Sequence, residues 1–120
     1  MNTVTLVENV IKAAYEVHNE LGIGFLEKVF ENAMVIVLEE MGIKARSQAP
    51  VNVYFHDRIV GEYFADLLVE DELIVELKVV KQLQGEHMAQ LINYLKATRL
   101  KNGLLINFAK PGLDIRRAHN

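Results

Sequence analysis

The chain has 120 residues, of which 51% are hydrophobic and 24% charged, so it has the length of one domain and enough apolar side chains to bury a core. It contains no cysteine, which excludes disulfides, thiolate metal sites and a cysteine nucleophile. Its net charge of −3 argues against nucleic-acid binding over the whole surface but permits a local basic site. The sequence starts without a basic, apolar leader and has no apolar run of about 18 residues, so we expect no signal peptide, no membrane span and a cytoplasmic location.

The first third of the chain is predicted to form two amphipathic helices. In residues 5–22, TLVENVIKAAYEVHNELG, apolar side chains recur every three or four positions, and Gly22 is a typical helix stop. After the break GIGF, the same spacing runs from Leu26 to Met41 and ends at Gly42. Two helices joined by a short connection are therefore expected.

The apolar period then changes to two. VNVYF (51–55) and IVGEYFADLLV (59–69) are predicted strands around an HDR turn, and LIVELKVV (73–80) follows the turn EDE as a third strand. Residues 85–98 are helical again, and GLLINFA (103–109) is typical of a buried strand parallel to 73–80, because a helix intervenes. The order α-α-β-β-β-α-β predicts one α/β domain over residues 1–120. Its mixed sheet would contain an antiparallel meander and be flanked by helices. The segment DIRRAH (114–119) suits an added edge strand.

Three charged residues interrupt the apolar strands of the meander. Glu76 and Lys78 are two apart and therefore share a face of the sheet, opposite to Leu77. If residues 70–72 form a three-residue loop, Val69 pairs with Leu73, and Asp66 lies across from Glu76 with the two Cβ atoms about 5 Å apart. A two-residue loop would place Asp66 on the other face, so the arrangement requires one register.

Two facing carboxylates destabilise a sheet unless a cation lies between them. Mg²⁺ is the usual occupant of a site made of carboxylates and water, and Lys78 would stand beside it, able to orient or deprotonate a water or to neutralise a phosphate oxygen. The alternative is an ordinary solvated strand face, which acid and lysine side chains at this spacing commonly form.

Further candidates lie on the helices. Glu27 begins the second helix, where an acid also simply complements the helix dipole. His87, Gln90 and Tyr94 are three and four residues apart and share one side of the third helix. A Gln and a Tyr on one face suit contacts to a phosphodiester backbone or a base edge, although a hydrogen bond at the edge of the core explains them equally.

The segments GFLEKVF, ADLLVEDELIVELK and HMAQLINYLKAT together resemble the GxxExxY proteins of the PD-(D/E)XK nuclease superfamily, and the resemblance covers nearly the whole chain. It implies a restriction-endonuclease-like core in which Glu27, Asp66 and Glu76, with the Leu77 carbonyl, bind Mg²⁺ or Mn²⁺. It also implies that Lys78 serves the attacking water and that the Q-x3-Y pair of Gln90 and Tyr94 serves the nucleic acid.

Two positions depart from the family pattern. Phe30 replaces the tyrosine of the family name and is interpreted as a packing residue, and Ala65 replaces the proline before the first acid. Neither change removes a predicted ligand. The sequence therefore predicts a metal-dependent nuclease acting on nucleic acid, with DNA favoured. The alternative is a catalytically silent nuclease-fold module that binds nucleic acid or a protein partner, and the small core makes a homo-oligomer a reasonable expectation.

Overall fold

A computed structural model describes residues 1–120 and contains three helices and five strands. The elements in chain order are α1 Thr3–Leu21, α2 Glu27–Glu40, β1 Ala45–Phe55, β2 Arg58–Val69, β3 Leu73–Lys78, α3 Gly85–Thr98, β4 Asn102–Asn107 and β5 Asp114–His119. The strands form a single sheet in the order β1-β2-β3-β4-β5, in which only the β3–β4 pair is parallel. The predicted mixed α/β sheet is confirmed, with β5 as the added edge strand.

The first strand is longer than predicted. It begins at Ala45 rather than Val51, and so includes polar residues and Pro50. A proline lacks the N–H that a central strand needs, but β1 is the edge of the sheet and tolerates the loss. The strand was underestimated because polarity and a proline both argue against a strand in a local sequence reading.

The two hairpin turns differ. Phe55 pairs with Arg58, so His56 and Asp57 form a two-residue turn with φ of 49° and 60°, where a three-residue HDR turn was predicted. Such a turn needs two left-handed residues, and its backbone twist matches that of the strands. The β2–β3 turn has three residues as predicted, because Val69 pairs with Leu73.

Two hydrophobic clusters lie on opposite faces of the sheet. The larger, with 19 buried residues, joins α1 and α2 to one face and includes Phe30 and Leu77. The smaller, with 9 buried residues, joins α3 to the other face through Leu91 and Leu95. Phe30 is fully buried and stacks on Phe108 with ring centroids 4.6 Å apart, which confirms its interpretation as a packing residue. None of the helices combines the length and the hydropathy needed to cross a membrane.

Candidate active site

The site lies where strands β2 and β3 separate. Their backbone pairing ends at Leu67 and Val75, one position before Asp66 and Glu76 would face each other in the same register. Beyond that point, hydrogen bonds from backbone amides to the two carboxyl groups take the place of backbone–backbone hydrogen bonds between the strands. The Leu77 amide donates to Asp66 Oδ2 over 2.8 Å, and the Asp66 amide donates to Glu76 Oε1 over 3.4 Å. Each carboxyl group therefore accepts a hydrogen bond from a backbone amide of the opposite strand, which holds the two acids close together.

Strand β2 is irregular at the same position. Ala65 packs in the cluster under α3, whereas Leu67 packs in the cluster under α1 and α2, although residues two apart on a regular strand share a face. On the neighbouring strand, Gln48 has a φ of 53° and is missing from an otherwise continuous pairing of Ser47 with Leu67 and Ala49 with Ala65. The alternation of β2 side chains between the two faces of the sheet is thus interrupted at Asp66, and this acid lies at the irregular position of the strand.

Glu76 is buried, with only 4% of its surface exposed. Burial, followed by hydrogen bonding to Asp66 and the charge of Asp66, raises the pKa of Glu76 to about 9, against opposing effects of an Asp66 backbone hydrogen bond and the Lys78 charge. Around pH 7, Glu76 is therefore protonated when no metal ion is bound. Two carboxyl groups that cannot both ionise readily form a site that favours a cation.

Lys78 ends strand β3 on the same side of the sheet as Glu76, as its spacing predicts. It is partly buried and makes no ion pair with a carboxylate.

The segment after Lys78 is fixed by Asn107 of β4, which is completely buried. The Asn107 side chain accepts from the Val80 amide at 3.1 Å and donates to the Val80 carbonyl at 2.8 Å. Asn107 thus anchors the chain just beyond Lys78, a role that sequence reasoning missed.

Tyr94 of α3 lies next to the acidic pair. It is 7% exposed, and burial, followed by the charges of Glu76, Asp66 and Tyr63, raises the pKa of its hydroxyl. Its ring centroid is 5.8 Å from that of Tyr63 on β2. Gln90, one helical turn before Tyr94, is exposed. The predicted pair of Tyr94 and Gln90 therefore extends from the neighbourhood of Asp66 and Glu76 to the protein surface.

His87 has a structural task at the start of α3. Its Nδ1 accepts a hydrogen bond of 2.9 Å from the Gln84 amide and completes a capping box. Nε2 remains free for a ligand, so the contact of His87 with nucleic acid stays a prediction beside this capping role.

The acids of α2 are arranged differently from the prediction. Glu27 is the exposed first residue of the helix and forms no hydrogen bond with Asp66 or Glu76. No group of three or more acidic or histidine side chains is close enough to hold a metal ion. The structure therefore does not bring Glu27 to the pair.

Glu31, one turn further along α2, is instead linked to the site. Its buried carboxylate accepts from Lys28 at 2.6 Å, Ser47 at 2.7 Å and Gln48 at 2.9 Å. The side-chain Nε2 of Gln48 also donates to Asp66 Oδ1 over 3.5 Å. Glu31 was missed because it has no motif of its own, although its spacing of four from Glu27 places both on one side of the helix.

Two comparisons with known proteins found a match. A family model described as the PD-(D/E)XK nuclease superfamily matches residues 4–118. The fold is similar to a solved structure described as "Crystal structure of SSO0001", with a TM-score of 0.59, 14% sequence identity, and coverage of 78% of this chain and 49% of that one. The present chain thus spans about half the length of that protein, and the likeness is one of fold. No curated protein matches the sequence at a significant level.

Proposed function

Because this chain belongs to the PD-(D/E)XK nuclease superfamily, we propose that it is a metal-dependent nuclease that hydrolyses phosphodiester bonds, most readily in DNA. The observation that carries the proposal is the opening of the sheet at Asp66 and Glu76, where backbone amides hold two carboxyl groups close together on a strand that ends in an unpaired lysine. Within the superfamily, we propose the GxxExxY group, whose motif Gly24 and Glu27 match.

The pair has the donor chemistry for a divalent cation. Asp66 and Glu76 offer hard oxygen ligands. Burial, followed by hydrogen bonding to Asp66 and the charge of Asp66, raises the pKa of Glu76, and a positive ion would offset the cost of ionising it. We propose that they hold Mg²⁺ or Mn²⁺ together with the Leu77 carbonyl. Such an ion lowers the pKa of water and neutralises charge on a phosphate undergoing displacement.

The chain's own side chains complete the site. Lys78 Nζ has no carboxylate partner, so it is available to orient the attacking water or to donate to a phosphate oxygen. The Tyr94 hydroxyl keeps its proton because burial, followed by the charges of Glu76 and Asp66, raises its pKa, and it can donate to the substrate backbone. The exposed carboxamide of Gln90 extends this contact toward solvent.

Calorimetry with Mn²⁺ tests the metal site. Asp66→Ala should abolish saturable binding while the far-ultraviolet circular dichroism stays native. Glu62→Ala is the matched control, because Glu62 is an exposed acid on the same strand. Equal Mn²⁺ binding by Asp66→Ala, or no binding by the unmodified protein, would remove the site assignment.

Cleavage assays on linear DNA test the chemistry. Lys78→Ala should keep Mn²⁺ binding but lower the cleavage rate by about 10²–10⁴-fold, as loss of a positioned proton donor or acceptor does. Lys81→Ala, which removes an exposed lysine three residues later, should leave the rate unchanged. Cleavage that survives Lys78→Ala would place the activity elsewhere.

The contribution of α2 is tested by comparing its two acids. Because Glu31 reaches Asp66 through Gln48, Glu31→Gln should weaken Mn²⁺ binding more than Glu27→Gln does. A larger effect of Glu27→Gln would restore Glu27 as the third ligand expected from the family motif. Thermal unfolding of both variants controls for loss of structure.

A catalytically silent nucleic-acid-binding module is the second candidate. The observation in its favour is that Glu31 is already engaged by three donors and has little capacity left for a metal ion. This function predicts a gel shift that is sensitive to salt but independent of metal, with no cleavage. Self-association remains a prediction, which light scattering after size-exclusion chromatography would check.

A further inference from the structure

A groove of about 890 Å³ lies between α3 and the outer half of the β1–β2 hairpin. Its walls come from β1, β2 and their turn on one side and from α3 on the other. The lining includes Tyr54 and Tyr63 from the hairpin, Gln90, Asn93 and Tyr94 from α3, and four charged residues. Asp66, Glu76 and Lys78 are not among them, so the groove adjoins the acidic pair and does not contain it.

The groove is rich in aromatic and amide groups. Tyr54 and Tyr63 expose 60% and 49% of their surfaces, although large aromatic side chains are usually covered. Opposite them, Gln90 and Asn93 present carboxamides from α3. Aromatic faces stack on unpaired bases of any sequence, and carboxamides bind base edges and phosphates.

The charges of the groove argue against a duplex-binding surface. Lys96 and Arg99 are offset by Asp57 and Glu86, so the lining is formally neutral. Duplex DNA is held mainly by neutralising several phosphates, which this surface cannot do. Stacking on unpaired bases needs no net positive charge, so the balance of groups favours a single strand.

Tyr94 connects the groove to the site. It lines the groove beside Tyr63. Burial, followed by the charges of Glu76 and Asp66, raises the pKa of its hydroxyl. A strand stacked along the tyrosines would therefore run toward the acidic pair. Resting on the proposed nuclease function, we propose that the substrate is single-stranded nucleic acid, or the unpaired tail of a duplex, with Tyr54 and Tyr63 as the stacking platform that selects it.

Fluorescence anisotropy tests the platform with a short labelled oligothymidylate and a blunt DNA duplex, both in a chelator so that no cleavage occurs. The unmodified protein should bind the oligothymidylate at least about tenfold more tightly than the duplex, and Tyr54→Ala and Tyr63→Ala should each weaken that binding about tenfold. Tyr63→Phe should keep the affinity, because stacking needs the ring and not the hydroxyl.

Phe64→Ala is the matched control. Phe64 neighbours Tyr63 on β2 and is 56% exposed, but it lies outside the groove, so its loss should leave binding unchanged. Equal affinity for the blunt duplex would overturn the inference. Tight single-strand binding that both tyrosine-to-alanine variants retain, or that Phe64→Ala lowers as much, would do the same.

Cleavage with Mn²⁺ separates this inference from the proposed function. Hydrolysis that prefers the blunt duplex and is unaffected by Tyr63→Ala would sink the inference and leave the nuclease function standing. Tyrosine-dependent binding of the single strand without any hydrolysis would support the groove's ligand and sink the nuclease function. Hydrolysis of an unpaired tail that falls about tenfold in Tyr63→Ala, measured below saturation, would support both.

Discussion

Replacing Glu76 by glutamine should make the metal-free protein more stable near neutral pH. The buried Glu76 carboxyl group holds a proton in the folded state, next to the Asp66 carboxylate. A glutamine side chain has nearly the same size, is always neutral and can donate to Asp66 as the protonated acid does. The substitution therefore keeps the packing and removes only the ionisation.

The magnitude follows from linkage between protonation and folding. The pKa of Glu76 is about 9 in the folded protein and 4.5 in the unfolded reference, so between these values only the folded state binds the proton. A raised folded-state pKa gives stability that is fully present below pH 4.5 and is lost as the pH rises toward 9. From pH 4.5 to 7, at about 1.36 kcal/mol per pH unit, the loss is about 3 kcal/mol.

Urea unfolding in a chelator, at about pH 5, 7 and 8.5, checks this expectation. Between the first two values the Glu76 contribution to the free energy of unfolding of the unmodified protein should fall by about 2–3 kcal/mol, and Glu76→Gln should abolish that fall. Glu62→Gln, which changes an exposed acid on β2, should follow the unmodified protein. If Glu76→Gln and the unmodified protein show the same pH dependence, Glu76 is not protonated in the fold and the description of the pair is wrong.

Two further predictions concern the packing that positions the site. Gly103→Ala should cost about 1–3 kcal/mol in urea unfolding, because a Cβ there would lie 2.9 Å from the buried Leu91 of α3, whereas Gly112→Ala, which has open space, should change stability little. A neutral Gly103→Ala would mean that α3 is loosely packed. Asn107→Ala should cost about 2–4 kcal/mol by leaving both Val80 backbone groups without partners, and should lower cleavage more than metal binding. Unchanged cleavage by a folded Asn107→Ala protein would contradict its role in placing the end of β3.

The sequence determined the local framework of the site. Period and turn length are properties of neighbouring residues, so the bounds of α3 at Gly85 and Thr98 and the pairing of Val69 with Leu73 were predictable. That pairing fixes which residues of β2 and β3 face each other, and with it the approach of Asp66 to Glu76. The three-residue turn and the requirement that apolar side chains face the core are enough to fix the register of β2 against β3.

Tertiary structure decided the rest. Glu31 bonds to Gln48 and Asn107 bonds to Val80, and these partners are 17 and 27 positions apart in the sequence. The irregularity of β2 at Asp66 likewise depends on the packing of helices on both faces of the sheet. Glu27 and Glu31 occupy the same side of α2 in the sequence pattern, and only the docking of the helix makes one exposed and the other buried. Local patterns specify which face a side chain takes, but the partner it meets depends on how distant elements pack.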